Sequence, residues 1–294
     1  MKKTAMTLAL LLVFLAGCAT QTQSPAPSIS FTAESFPRLD GSTANIPLAQ
    51  ELVMLFLGLD EYQAEDFVEF HTTARAYENL ANGETDLLLV YEASDETKEQ
   101  LEAMGAGFEY VPIGRDALVF IVNENNPVQS LSAQQIVDIY AGHVTNWGEV
   151  GGEDIKIAAF QRNPTSGSQA LMDQLVMQGT PMMEAPREFT PGAMGGLIDG
   201  LAEYDNSSAA IGYSVFYFAS TMYTRPGLRF VAVDGIVPSN ETIASGEYPF
   251  TNDFYAVFRA DEPENSAARQ LAQWLGSGEG QALVERSGYV PHGN

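Results

Sequence analysis

The chain has 294 residues, 45% of them hydrophobic, which is enough to fill one large core or two of ordinary size. Its 14 basic and 38 acidic residues give a formal net charge of −24, which argues against nucleic acid or an anionic lipid surface as a partner. One cysteine excludes a disulfide framework, and three scattered histidines form no metal-ligand spacing.

In chain order, the first residues read as a targeting segment. Met1-Lys2-Lys3 is a short basic start, and Met6 to Phe14 is an apolar run too short to span a bilayer. The run ends in Leu15-Ala16-Gly17-Cys18, which matches the lipobox of bacterial lipoproteins. Residues 1–17 are then a signal peptide, and Cys18 is the lipidated N-terminus of an extracytoplasmic, membrane-anchored protein. Without Lys2 and Lys3 the mature chain holds 12 basic and 38 acidic residues, a net of −26. Residues 18–30, rich in Thr, Gln, Ser and Pro, read as a flexible tether.

The body alternates helix-like and strand-like segments. Helices are predicted for Thr43 to Leu59, Thr72 to Asn82 with Gly83 behind it, Glu96 to Met104, and Ser132 to Tyr140 with a serine cap. Strands are predicted for Asp86 to Tyr91 and within Val111 to Asn123, where Ala117 to Val122 is strongly apolar. In the second half, Ile155 to Phe160, Ile211 to Val215, Leu228 to Val233 and Phe254 to Phe258 read as strands. Gln169 to Gln178, Gly195 to Glu203, Ser266 to Leu275 and Gly280 to Arg286 read as helices. This alternation predicts an α/β class with mostly parallel sheets flanked by helices.

The chemistry concentrates in Arg162-Asn163-Pro164-Thr165-Ser166-Gly167-Ser168, directly before a predicted helix. A forked cation, hydroxyl donors and the free amides of a helix start are what an oxyanion needs. In an acidic chain such an anion site must be local, since the bulk charge repels the ligand. Catalysis has little support. No HExxH or CxxC pattern is present, Cys18 is taken by lipid, and Ser166 lies outside a Gly-x-Ser-x-Gly elbow.

Ile139 to Gly152, with Thr145-Asn146-Trp147-Gly148-Glu149-Val150-Gly151-Gly152 at its end, closely resembles a segment of PstS-like phosphate-binding proteins of ABC transporters. In that family an arginine followed by Ser-Gly-Thr comes next, as Arg162 and Ser166-Gly167-Ser168 do here. Phe36 to Thr43, Val111 to Val119, Val233 to Ser239, Tyr248-Pro249 and Gly288 to Pro291 are similar to further markers, so the resemblance spans nearly the whole mature chain. It implies a type II periplasmic-binding fold, two α/β lobes joined by two crossover strands near Gly114 to Leu118 and Phe250 to Phe254. Lobe I is then 31–115 with 253–294, and lobe II is 116–252.

Carried over residue by residue, the resemblance implies a ligand site of Ser42, Thr43, Thr73, Asp95, Arg162, Ser166, Gly167 and Ser168. Thr72 competes with Thr73 as the second helix-start hydroxyl. Asp95, in Ala93-Ser94-Asp95, stands for the carboxylate that accepts the proton of bound phosphate, with Glu92 as its rival. Trp147 and Tyr140 read as core, and Arg38 as a surface arginine. The resemblance implies a monomeric, non-enzymatic protein without cofactor or metal, which captures inorganic phosphate and delivers it to ABC permease subunits. Another oxyanion, or a small organic phosphate in a sensory role, remains open; a phosphatase or hydrolase is disfavoured.

Overall fold

The computed structural model describes residues 27–205 and 207–293. Cys18, and with it the predicted signal peptide and anchor, lies outside the described residues. From the N-terminal side, β1 (Leu39–Gly41) leads through a 3-10 turn (Thr43–Asn45) into α1 (Ile46–Leu57). There follow α2 (Glu61–Phe67), α3 (Thr73–Ala81), β2 (Leu87–Val90) and α4 (Asp95–Ala103). The long β3 (Phe108–Asn123) comes after them.

Next come β4 (Ser130–Leu131), α5 (Ala133–Tyr140), β5 (Ala158–Ala159) and α6 (Gly167–Leu171), the last widened into a π turn over Met172–Met177. These are followed by α7 (Met194–Glu203), β6 (Ala210–Val215), β7 (Leu228–Phe230), β8 (Ala232–Val233) and α8 (Asn240–Ala244). The chain returns along β9 (Thr251–Arg259) to α9 (Ala267–Leu275), α10 (Gly278–Arg286) and β10 (Val290–Pro291).

Local chemistry sets these boundaries. Gly58, in the left-handed conformation at φ 67°, ends α1. Asp60 with Gln63 and Ser132 with Gln135 form capping boxes at α2 and α5, and Ser94, Ser266 and Ser277 cap α4, α9 and α10. Leu87 to Val90 is buried on both faces, which is why β2 reads as an unbroken apolar run.

The main sheet runs in the order β1-β2-β9-β3-β6-β5, with β10 and β7 also on β3, while β4 and β8 pair apart. Its pattern corrects the expectation of mostly parallel sheets. β1–β2, β5–β6 and β4–β8 are parallel, but every ladder that includes β3 or β9 is antiparallel. The reason is the path between lobes. The chain leaves along β3 and comes back along β9, so the two central strands oppose each other. β3 pairs with β9 up to Ala117↔Thr251 and with β6 from Leu118↔Val215, so one strand serves both lobes.

Residues 27–30, assigned to the tether by composition, lie on the body instead. Ser28 donates to Glu279 Oε2 from both its amide and its hydroxyl, each at 2.9 Å. Phe31 then packs edge-on against Phe36 and Phe56. Trp147 is fully buried with its indole N–H on Ala209 O at 2.9 Å, a core residue as its neighbourhood suggested.

Candidate functional site

One wall grows from the carboxyl end of β5. Phe160 N donates to Ile211 O at 2.8 Å, and the chain then leaves the sheet through Gln161 and Arg162. The Arg162 amide donates to the Tyr213 hydroxyl at 3.0 Å, and that hydroxyl donates onward to Gln169 Oε1 in α6. Ser166 N donates back to Asn163 O at 3.1 Å, while Ser166 Oγ accepts from Gln169 N at 3.1 Å as the N-cap. Arg162, Ser166, Gly167 and Ser168 are thereby gathered at one helix start.

Two of these side chains are buried and under-satisfied. Arg162 is 6% exposed and Ser168 fully buried. Arg162 Nε and Nη1 and Ser168 Oγ find no hydrogen-bond partner among the described residues; Arg162 Nη2 reaches Gly192 O at 3.4 Å. Burial pushes the guanidinium down to about 10, and among the described residues no carboxylate is ion-paired with it; Asp173, which lines the same cavity as Arg162, accepts instead from Gln169 Nε2 at 2.9 Å. A buried charge without a partner costs on the order of several kcal/mol. A seated oxyanion would supply both the counter-charge and the missing acceptors.

The opposite wall is made where β1 and β2 end. Gly41, at φ +155°, must be glycine, because a Cβ there would sit 2.0 Å from Leu89 O. Ser42 follows, buried, with its amide on Leu89 O at 3.0 Å and its carbonyl accepting from Asn45 N at 2.8 Å. Thr43 is half-buried at the first position of the 3-10 turn. Buried Asp40 accepts from Gly41 N at 2.7 Å, His71 N at 2.8 Å and Asn79 Nδ2 at 2.8 Å, with His71 Nδ1 at 2.9 Å. That carboxylate pins the start of α3 beside the turn after β1, so Ser42, Thr43 and Thr73 share one wall. Thr73 is buried as the first residue of α3; Thr72 is its N-cap residue but makes no side-chain cap bond.

The walls touch. A Cβ added to Gly167 would come within 2.6 Å of Thr73 Oγ1 and 3.5 Å of Tyr91 Cδ2. Across the same junction, Gln174 Nε2 donates to Ala93 O at 2.9 Å. Glycine at position 167 therefore lets the amides at the start of α6 approach the start of α3.

Asp95 does not join this group. As the first residue of α4 it projects to solvent, with a side chain 85% exposed and Lys98 Nζ at 3.7 Å. Glu92, its rival, is paired with the same Lys98 at 3.1 Å and is also half exposed. Both line an open cavity of about 330 Å³ with Lys98, Gln174 and Asp253, and Arg162 is not among its lining residues. A helix-start carboxylate is already favoured there by the helix dipole, which explains its position without a ligand. Arg38 is exposed and bound to Asp86 at 2.7 Å, away from both walls.

Sequence reasoning missed Tyr91, Asp116, Tyr213 and Gln169. Asp116 had a readable signal, a carboxylate set directly before the apolar run Ala117 to Val122. The tyrosines had none, since they look like ordinary core residues.

A family model described as a PBP superfamily domain matches residues 38–279. The chain belongs to the PBP superfamily. Two relatives of this PBP-superfamily chain are phosphate-binding proteins PstS. That of Borreliella burgdorferi is 25% identical over 205 residues, covering 67% of this chain and 69% of the relative. That of Bacillus subtilis is 26% identical over 171 residues, and the match spans about half of the relative, 53%, and 58% of this chain. Among solved structures, a Clostridium perfringens protein with bound phosphate aligns with a TM-score of 0.65 at 23% identity, covering 90% of this chain and 99% of that one. An ABC-type phosphate transport receptor from Vibrio cholerae aligns with a TM-score of 0.62 at 21% identity, covering 86% and 98%. The fold is the two-lobe type II periplasmic-binding fold.

Proposed function

We propose that this chain is an extracytoplasmic substrate-binding protein that captures inorganic phosphate between its lobes and passes it to an ABC permease. The observation that carries the reading is Arg162, a buried guanidinium with no carboxylate ion-paired to it among the described residues, together with the unsatisfied hydroxyl of Ser168 at the start of α6. Ser166 and Gly167 complete that wall, and Ser42, Thr43 and Thr73 supply the other. The relatives' printed names agree with the ligand class. Lipid anchoring through Cys18 and a monomeric state belong to the same proposal, as does the division into 31–115 with 253–294 and 116–252.

The energetics suffice. A hydrogen bond to a charged group contributes about 1.5–3 kcal/mol, and micromolar affinity needs about 8 kcal/mol. A handful of donors from the two walls reaches that figure. No nucleophile is paired with a base in this arrangement, so binding and release, not turnover, is the chemistry it supports. The test is a thermal-shift series on the full chain in detergent with phosphate, sulfate, molybdate or no addition. Phosphate at about 100 times its dissociation constant should stabilise the fold by about 2.7 kcal/mol. Absence of a shift with every oxyanion would remove the proposal.

A further inference from the structure

Asp116 is one of the few fully enclosed carboxylates of the chain, 2% exposed, and no cation is paired with it among the described residues. It sits one residue before the point where β3 exchanges β9 for β6 as partner. Its donors come from both lobes. Tyr91, just after β2, donates its hydroxyl to Oδ2 at 2.7 Å. Tyr217, just after β6, donates its amide to Oδ1 at 3.1 Å, and Ala117 N adds a bond at 2.8 Å.

Each donor leads on to a wall of the anion site. The Tyr91 ring lies against Gly167 at the start of α6, and its carbonyl is held by the Tyr77 hydroxyl at 3.1 Å. Fixing the Tyr91 hydroxyl therefore fixes the surface on which the α6 start rests. The Tyr217 ring stacks on Tyr289 with centroids 3.5 Å apart and planes 14° from parallel. The Tyr289 hydroxyl in turn donates to Ala44 O at 2.7 Å, inside the turn that follows Ser42. Burying a carboxylate is costly, and strand pairing does not require one here. What the carboxylate adds is a pair of hydrogen-bonding oxygens at the crossing that can hold groups from both lobes at once.

We propose that Asp116 is a positioning residue for anion capture, tying the Tyr91 and Tyr217 arms to the strand on which the two lobes are joined, so that both walls reach their binding geometry together. This rests on the phosphate reading above. It makes no contact with the anion itself, and its effect passes through Tyr91 and Tyr217.

The experiment is phosphate titration by calorimetry on the full chain and three variants, with far-UV circular dichroism to check folding. Loss of a bond to a charged acceptor is worth about tenfold to a hundredfold in affinity, so Asp116→Ala should weaken phosphate binding by that much. Tyr91→Phe keeps the ring and removes the hydroxyl, and should weaken binding by about threefold to tenfold. Asp116→Asn can keep both amides on Oδ1 and donate to the Tyr91 oxygen, so it should bind within about threefold of the unaltered chain. Because Tyr91 and Asp116 act through one bond, adding Tyr91→Phe to Asp116→Ala should cost little more. Unaltered affinity in both Asp116→Ala and Tyr91→Phe overturns the inference; if Asp116→Ala fails to fold, Tyr91→Phe alone decides. A chain that binds no phosphate before any substitution overturns the phosphate reading and this inference together, which is a different result from unchanged variants.

Discussion

Arg162 is a cation held out of water with no carboxylate ion-paired to it among the described residues, so the charge should harm the empty fold and serve the occupied one. Arg162→Met is accordingly expected to raise unfolding free energy by about 1–3 kcal/mol in phosphate-free buffer while abolishing phosphate stabilisation. Denaturant titrations with and without phosphate read both effects, and a variant that is simply less stable would contradict this account. Asp116 gives a second residue-level prediction. Burial pushes its carboxyl from 3.8 up to about 6, against the opposing bonds from Tyr91, Ala117 and Tyr217. The folded chain thus keeps a proton that the unfolded chain has released. The resulting stabilisation is fully present below about pH 3.8 and is lost as pH rises through about 6. The facing groups Tyr91, Tyr217 and Tyr289 are themselves pushed upward by burial and stay neutral over that range. Asp116→Asn lacks the titration, so it should exceed the unaltered chain in stability at neutral pH, by at most about 3 kcal/mol, and lose that lead by pH 4. A stability gap that does not change with pH would rule this out. At this scale the gathering of Arg162 and Ser168 at one helix start was legible, because their residue types and order before a predicted helix point to it. Asp95 misled for a physical reason: which way a helix-start carboxylate faces depends on how the helix is docked, which local sequence does not determine.

Among the elements, α6 matters most, and Gly167 is the residue that lets it dock. Gly167→Ala places a methyl 2.6 Å from Thr73 Oγ1, so phosphate affinity should fall about tenfold or more. Thr73→Ala in that background relieves the contact as it removes the hydroxyl, so the double variant should bind no worse than Gly167→Ala alone. By contrast, Asp95→Asn and Glu92→Gln should leave the phosphate-over-sulfate preference unchanged, since both acids are exposed and share Lys98. Competition titration settles it, and a narrowed preference would return one of them to the site. Strands and helices with their own periodicity were legible; those shaped by distant partners were not. Leu228 to Val233 reads as one strand, yet β7 pairs with β3 and β8 with β4, because Val231 N turns to Phe120 O and Ala232 N to Gln129 O. Ile155 to Phe160 likewise shrinks to Ala158–Ala159, since Ile155 O accepts from Trp147 N and Ile157 N donates to Thr145 O.

For the whole molecule, the alternation announced an α/β class and the family resemblance two lobes, while the antiparallel centre could not be read locally. It comes from β3 and β9 running between lobes in opposite directions, a property of the path and not of any one segment. The net charge of −24 adds a kinetic consequence. A long-range field of that sign repels an approaching anion, and salt screens it over about 8 Å at physiological strength. Phosphate association measured by stopped flow should therefore speed up as salt is raised, whereas a basic, steering cleft would slow down. On the proposed reading, capture works at contact range inside this unfavourable field, which is why it calls on a desolvated arginine and helix-start amides. The most direct test is calorimetric titration of the full chain and of Arg162→Met with phosphate. The account predicts saturable binding at micromolar or lower concentration by the unaltered chain and none by the variant. Equal binding by both, or no heat from the unaltered chain, would contradict it.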